Sequence, residues 1–148
     1  MKIQKLRHWC LFGLLAFLLM VTACDVTEPQ DNDTLVQEQL ASFERAFNLK
    51  DPAAMMELVH PGYLHGNMNY WNFNQIWQDR MAQYALLEIR DISVVFVGDY
   101  ATVSMRLDFI DPDGNQSYLE PQTFGDISYF YYTGSTWKIC GRDYNSAG

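Results

Sequence analysis

Between residues 100 and 110, Ala101, Val103, Met105, Leu107 and Phe109 alternate strictly with Thr102, Ser104, Arg106 and Asp108. A period of two is the repeat of an extended strand with one buried and one wet face, because successive side chains point to opposite sides of a sheet. The buried face needs an apolar layer to cover it. The chain supplies that layer upstream, where Val36, Leu40, Phe43 and Phe47 are spaced by four, three and four residues, a helical period. Thr34 and Gln37 stand in front of them at the spacing of a capping box, which predicts a helix starting there. Asp51 and Pro52 predict the cap and first turn of a short second helix running to Val59, which must stop at His60 because Pro61 follows. Residues 62–71 are aromatic and rich in turn formers, with Gly66, Asn67 and Asn69 breaking any period. Asn72 and Gln75 then predict the start of a third helix with Phe73, Ile76, Trp77, Met81 and Tyr84 along its apolar line.

The strand region begins with residues 88–97, joined to 100–110 through Gly98 and Asp99, a two-residue hairpin signal. Asp111, Pro112, Asp113, Gly114 and Asn115 form a turn, and 116–132 is a long strand-like run. Pro121 and Gly125 interrupt it and predict a bend or bulge within one strongly curved strand. Thr133, Gly134 and Ser135 close another hairpin into 136–143, with Trp137, Ile139 and Gly141 on one face. Three helices followed by a four-strand antiparallel meander make an α+β domain, the helices packed on one side of a strongly curved sheet. With 49% apolar and 15% aromatic residues, the chain can fill such a core.

The first 23 residues have another character. Lys2, Lys5 and Arg7 precede an uncharged apolar run over 9–21, too short for the roughly twenty residues of a membrane span and laid out as a secretory signal. Val21, Thr22, Ala23 and Cys24 resemble the lipobox of bacterial lipoproteins. That resemblance implies diacylglycerol on the Cys24 thiol, cleavage after Ala23, and a mature protein anchored to a bacterial cell membrane, facing the periplasm or the exterior. The alternative is an ordinary signal peptide that leaves Cys24 free. Asp25 resembles the inner-membrane retention signal of enteric lipoproteins, which favours the inner membrane in a Gram-negative cell. The division is a signal peptide over 1–23, a lipidated cysteine and acidic tether over 24–33, and a domain over 34–148. After Cys24, seven basic residues face eighteen acidic ones, a net charge of −11 that repels phosphate backbones and excludes a nucleic-acid role. Cys140 is then the one domain cysteine, read as a packed thiol with no disulfide partner.

Taken in order, the long first helix, Asp51 and Pro52 opening the short second one, His60 and Pro61 before an aromatic segment, the β-rich hairpin, and the closing Gly134, Ser135, Thr136, Trp137, Lys138 and Ile139 resemble the nuclear transport factor 2-like superfamily. Its members include polyketide cyclase-like and ketosteroid isomerase-like proteins. The resemblance implies a cone whose open end holds a pocket, occupied in some members by an acid/base Asp or His and in others by no chemistry.

Where such a base is expected, after the second helix, this chain carries Tyr63 and His65. His65 is a proton-shuttle candidate, weighed against a hydrogen-bonded histidine at the pocket rim. Asp126, flanked by apolar and aromatic residues, is a base candidate if it points inward; a bulge at Gly125 would turn it to solvent instead. Tyr63, His65, Trp71, Trp77, Tyr129, Tyr131 and Trp137 are expected to wall a site for a small apolar ligand, with no metal and no cofactor. Asp111, Asp113 and Asn115 match only part of a calcium loop. Alternation over 127–132 places either Tyr129 and Tyr131 or Phe130 and Tyr132 on the outer face, with Arg106, Lys138 and Arg142 as a basic rim. A homodimer through that face is one expectation. Three functions follow: a non-catalytic envelope lipoprotein that binds a small molecule or a protein, an acid/base enzyme of the isomerase, cyclase or dehydratase type, and a purely structural or assembly role through dimerisation of the sheet face.

Overall fold

A computed structural model describes residues 31–145. The leader, Cys10, Cys24 and Asp25 lie outside the described residues, as does most of the acidic tether. Helix α1 spans Asn32–Asn48, α2 Pro52–Met56 and α3 Tyr70–Gln83, with β1 (Leu64–His65) and β2 (Met68–Asn69) between the last two. The strands β3 (Leu86–Val97), β4 (Tyr100–Ile110), β5 (Gln116–Glu120), β6 (Tyr129–Tyr132) and β7 (Trp137–Ile139) follow.

Helix α1 buries Val36, Leu40, Phe43, Ala46 and Phe47, the predicted line with one addition. Its start differs from the expectation. The helix opens at Asn32 with Asp31 at the cap, and Gln37 Nε2 donates to Asp33 Oδ2 at 2.7 Å rather than reaching back to Thr34. The acidic Asp33 in the first turn complements the helix dipole, so Thr34 is left inside the helix. Helix α2 has the expected Asp51 cap, whose Oδ1 accepts from Ala54 N at 3.0 Å. Helix α3 also starts two residues early, because Asn69 and Asn72 form a reciprocal capping box that the residue types Ser or Thr and Glu or Gln would not have signalled. Phe73, Trp77 and Met81 form its buried line, and Ile76 is half-buried.

Strand β4 alternates as the sequence requires, with Ala101, Val103, Met105, Leu107 and Phe109 all buried. It pairs with β3 through the two-residue Gly98–Asp99 turn, Val97 opposite Tyr100. A bulge between Arg90 and Ser93, where Asp91 takes φ 54°, bends β3. The run over 116–132 is not one curved strand. Strand β5 pairs with residues 105–109 of β4 and β6 with residues 100–102, so the two share one edge of β4 in succession, and residues 121–128 leave the ladder between them. Pro121 has no N–H to give a ladder, and Gly125 at φ 69° turns the backbone where other residues are strained. Strand β7 completes the order β3-β4-β6-β7.

Strand β3 lies at the edge of this sheet, and α1 covers the exposed hydrogen-bonding groups of its first half. Asn48 Oδ1 accepts from Leu87 N at 2.8 Å while Asn48 Nδ2 donates to Leu87 O at 3.0 Å, and Glu44 Oε2 accepts from Ile89 N at 2.8 Å. Residues 44 and 48 are one helical turn apart, matching alternate residues of the strand. Asn48→Ala should therefore cost about 1–3 kcal/mol, because a buried strand donor and acceptor lose their partners together. Urea unfolding checks this, and a loss no greater than that of an exposed Ala substitution on α1 would show the clamp to be idle.

Candidate functional site

Two carboxylates are buried here, Glu120 at the last paired position of β5 and Asp126 within residues 121–128, which leave the ladder. Glu120 and Asp126 are each 1% exposed. Glu120 Oε1 accepts from Phe124 N at 3.0 Å, and its Oε2 accepts from Gly125 N. Burial raises the Glu120 carboxyl above its ordinary value, and these backbone donors offset part of the rise. Asp126 points inward. Its Oδ2 is 2.7 Å from Arg80 Nη1, and the Arg80 guanidinium is held between two rings, 4.4 Å from the Trp77 centroid and 4.3 Å from that of Phe124. The two ring faces replace water around the cation while the Asp126 carboxylate supplies its counter-charge. Tyr63 donates its hydroxyl to Asp126 O at 2.9 Å, and burial pushes that hydroxyl well above the usual tyrosine range. Among the described residues, Asp126 Oδ1, Ser128 Oγ and Trp77 Nε1 are buried without hydrogen-bond partners.

His65 sits where the loop meets the chain's C-terminal segment. Its Nδ1 accepts from Arg142 N at 3.2 Å, which puts the ring proton on Nε2, and Nε2 donates to Phe124 O at 2.9 Å. Both nitrogens are thus engaged by backbone groups. The ring also fixes Gly125, since a Cβ there would lie 3.1 Å from His65 Cε1 and from Pro121 O. Gly141 is held likewise, with Leu64 O only 2.3 Å from where its Cβ would be.

The seven expected wall residues do not form one wall. Trp77 and Trp137 are core, at 0% and 2% exposure, and Tyr63 is buried beside Phe73 at 4.8 Å. Tyr129 and Tyr131 lie on the outer face of β6, opposite buried Phe130. They are covered by the chain itself: His65 lies 5.8 Å from Tyr129, and Tyr131 is flanked by Tyr100 and Tyr144 at 5.1 Å each and by His60 at 6.2 Å. Tyr132 packs on Trp137 at 5.3 Å. The expected basic rim is also engaged within the chain, Arg106 with Asp91 and Asp108, Lys138 with Glu57 O, and Arg142 with Asp143. Cys140 is buried, and desolvation lifts its thiol to about 12, so it carries no thiolate.

Trp71 alone of the seven is open, at 73% exposure. It stands at the start of α3 between two clefts. One of about 530 Å³ is lined by Pro61, Gly62, Tyr63, Leu64, Asn69 and Tyr70, and one of about 330 Å³ by Pro52, Ala53, Met56, Asn74 and Gln78, with Tyr70 and Trp71 common to both. Arg80, Glu120 and Ser128, which the structure brings together with Asp126, are not among the residues expected from the sequence. Arg80 falls on the polar side of the predicted α3 stripe, and nothing local marks it as the partner of a carboxylate 46 residues later.

No protein-family model and no curated protein matches the sequence. Solved structures match its shape. At 13% identity and a TM-score of 0.56, the chain superposes on Bdellovibrio bacteriovorus Bd1075 over 74% of its own length, spanning 40% of that protein. A Nostoc punctiforme protein of unknown function with a cystatin-like fold matches at 13% identity and a TM-score of 0.55, over 73% of this chain and 85% of that one. A candidate dehydratase of the nuclear transport factor 2-like family from Streptomyces avermitilis matches at 14% identity and 0.53, over 74% and 92%.

Two measurements test the buried site. Arg80→Ala should cost about 3–5 kcal/mol in denaturant unfolding by stranding the Asp126 carboxylate, whereas Arg80→Met with Asp126→Leu should recover most of that loss; equal damage by both would mean the pair is not what Arg80 contributes. For Glu120, a carboxyl raised in the folded state gives stability that is full below its ordinary value of 4.5 and lost as pH rises through the folded value. Glu120→Gln stays neutral, so its stability relative to wild type should improve between about pH 4 and pH 7; a flat difference would contradict the assignment. By element order, sheet topology and these superpositions, the chain has the nuclear transport factor 2-like, or cystatin-like, cone fold.

Proposed function

We propose that the protein is a lipid-anchored envelope lipoprotein whose domain binds rather than catalyses, taking a small apolar molecule or an apolar segment of a partner protein beside Trp71. The observation that carries this reading is the exposure of Trp71, 73% open on a well-capped helix start and flanked by clefts on both sides. Large aromatics left in water beside concave apolar surface are the usual anchors of recognition sites. Leu64, 39% exposed, extends the same surface. Cys24 supplies the anchor, the basic start, short apolar run and lipobox-like residues being the support for it.

A second reading, an acid/base enzyme of the isomerase, cyclase or dehydratase type, draws on Asp126, buried among aromatics with Oδ1 unpartnered. Against it, a general base must come within about 3 Å of the proton it takes. Asp126 lines neither of the two clefts beside Trp71, and His65 has both nitrogens occupied.

Three assays separate these readings. Cells fed radiolabelled palmitate should label the protein, and Cys24→Ser should abolish the label; label retained on the variant would remove the anchor. Nile red should brighten with residues 25–148 in solution and lose at least about half of that gain in Trp71→Ala, whose stability should stay within about 0.5 kcal/mol, as for other exposed positions. An undiminished gain would move the site elsewhere. Enolisable ketones should exchange protons no faster with the protein than without it; acceleration that falls at least about tenfold in Asp126→Asn, with circular dichroism unchanged, would establish the enzyme.

A further inference from the structure

The tip of the β3–β4 hairpin is poor in charge and rich in exposed apolar side chains. Asp99 is the only charged residue between Asp91 and Arg106, and the turn is flanked by Val95, Phe96, Val97 and Tyr100, exposed by 62%, 37%, 73% and 37%. Register puts Val95 and Val97 on the outer side with Thr102 and Tyr100, while Phe96, opposite Ala101, points inward. Farther down β4 the outer row turns to Ser104, Arg106 and Asp108. The outer row thus turns apolar at Val95 and Val97, and on the inner side Phe96 also remains partly exposed.

This tip lies at the end of the domain where the chain enters it. Trp137 joins the two: its Nε1 donates to Asn32 Oδ1 at 3.3 Å, at the first residue of α1, and its ring packs on Phe96 at 5.4 Å. Tyr132 N donates to Asp99 O at 2.8 Å, holding the turn to the β6–β7 end of the sheet. From Cys24 to Asp31 there are seven peptide steps, at most about 25 Å of extended chain. Chain length therefore keeps Asp31 within about 25 Å of whatever holds Cys24.

We propose that the β3–β4 hairpin tip is a membrane-contact element, seating Val95, Phe96, Val97 and Tyr100 in the interfacial layer of the bilayer that holds the lipid on Cys24. This rests on the lipoprotein reading above and adds an orientation to it. A bilayer interface fits better than a second copy of the chain because apolar side chains are exposed on both sides of the tip, Val95 and Val97 on one and Phe96 on the other, and a fluid interface covers both whereas a flat partner covers one. The contact is apolar in origin. At a net charge of −11 after Cys24 the protein gains nothing from anionic headgroups, and the valines and aromatic rings supply the attraction.

The test uses the full lipoprotein, purified from membranes and reconstituted in phosphatidylcholine vesicles containing a lipid with a nitroxide on its acyl chain. Val97→Cys and, as a control beyond the opposite end of β4, Asn115→Cys each carry a fluorophore; Cys140 is 1% exposed and stays unlabelled. Lipid nitroxide should quench the probe at 97 at least about twofold more than that at 115, and aqueous iodide should do the reverse, as for a side chain at the headgroup boundary. Equal iodide access at both positions, in protein that floats with the vesicles, overturns the proposal and leaves the anchor standing. A probe at 97 shielded from iodide yet untouched by lipid nitroxide means a protein partner covers the tip, and also overturns it. Protein that does not float with the vesicles at all overturns the anchor and the proposal together.

Discussion

Strand β4 gives one of its edges to two strands in turn, and the candidate site follows from how the chain gets from one to the other. Residues 121–128 have no ladder partner, yet they lie against the core, with Ile127 and Ser128 fully buried and Val103 N donating to Ser128 O at 2.8 Å. A segment that leaves a sheet inside a protein must find other partners for its backbone and its charges. Here Glu120 folds its carboxylate back onto the N–H groups of Phe124 and Gly125, and Tyr63 and His65 reach across to the carbonyls of Asp126 and Phe124. The Asp126 side chain is matched by Arg80, whose own desolvation is offset by the faces of Trp77 and Phe124. Removing any one of these partners leaves a buried polar group stranded, so the cluster is coupled even though each contact is local.

The same connection decides what happens on the outer side of the sheet. With Phe130 committed to the core, Tyr129 and Tyr131 must face out, and two aromatics on a short strand call for a cover. The chain provides it by bringing residues 140–144 back against 63–66, through Leu64 N to Cys140 O at 3.0 Å and Asp143 N to Leu64 O at 3.0 Å. That return places His60, His65 and Tyr144 over the two tyrosines. His60 is fixed in turn, its Nδ1 accepting from Gly62 N at 3.0 Å and its Nε2 meeting the Tyr144 hydroxyl at 3.3 Å. Burial, with Lys138 nearby, lowers the His60 imidazole, so the neutral form that makes these bonds is the favoured one.

What could be read from the sequence was whatever depends on a residue's near neighbours. The alternation of β4, the apolar lines of α1 and α3, the Asp51 cap and the Gly98–Asp99 turn all have a period or a local hydrogen bond behind them, and all are present. Helices α1 and α3 start two residues before the expected positions, α3 because Asn69 caps as well as Asn72 and α1 with Asp31 at its start without a side-chain capping bond. The break in the 116–132 run was visible at Pro121 and Gly125, but a bulge and a departure from the ladder look alike until the pairing partners are known. The site was the least legible part. Asp126 could point either way along an extended run, and its inward direction is set by Arg80, 46 residues earlier; the two partners of His65 stand 59 and 77 residues away. Such contacts are products of the fold, and no composition rule or periodicity carries them.

The two surfaces argued to be functional also stand in a definite relation through β7. Its first residue, Trp137, touches Asn32 and Phe96, while just past its last residue Cys140 O accepts from Leu64 N and Gly141 packs on Leu64 O, in the wall of the cleft beside Trp71. Trp137 opens β7 and Gly141 lies just beyond its end, so the apolar hairpin end and the Trp71 cleft are joined at opposite ends of that strand. A short tether would leave a freely turning domain no preferred face. A second contact, at the hairpin tip, would remove that freedom, holding the end with Trp137 toward the bilayer and leaving the cleft at the other end of β7 open to whatever it binds.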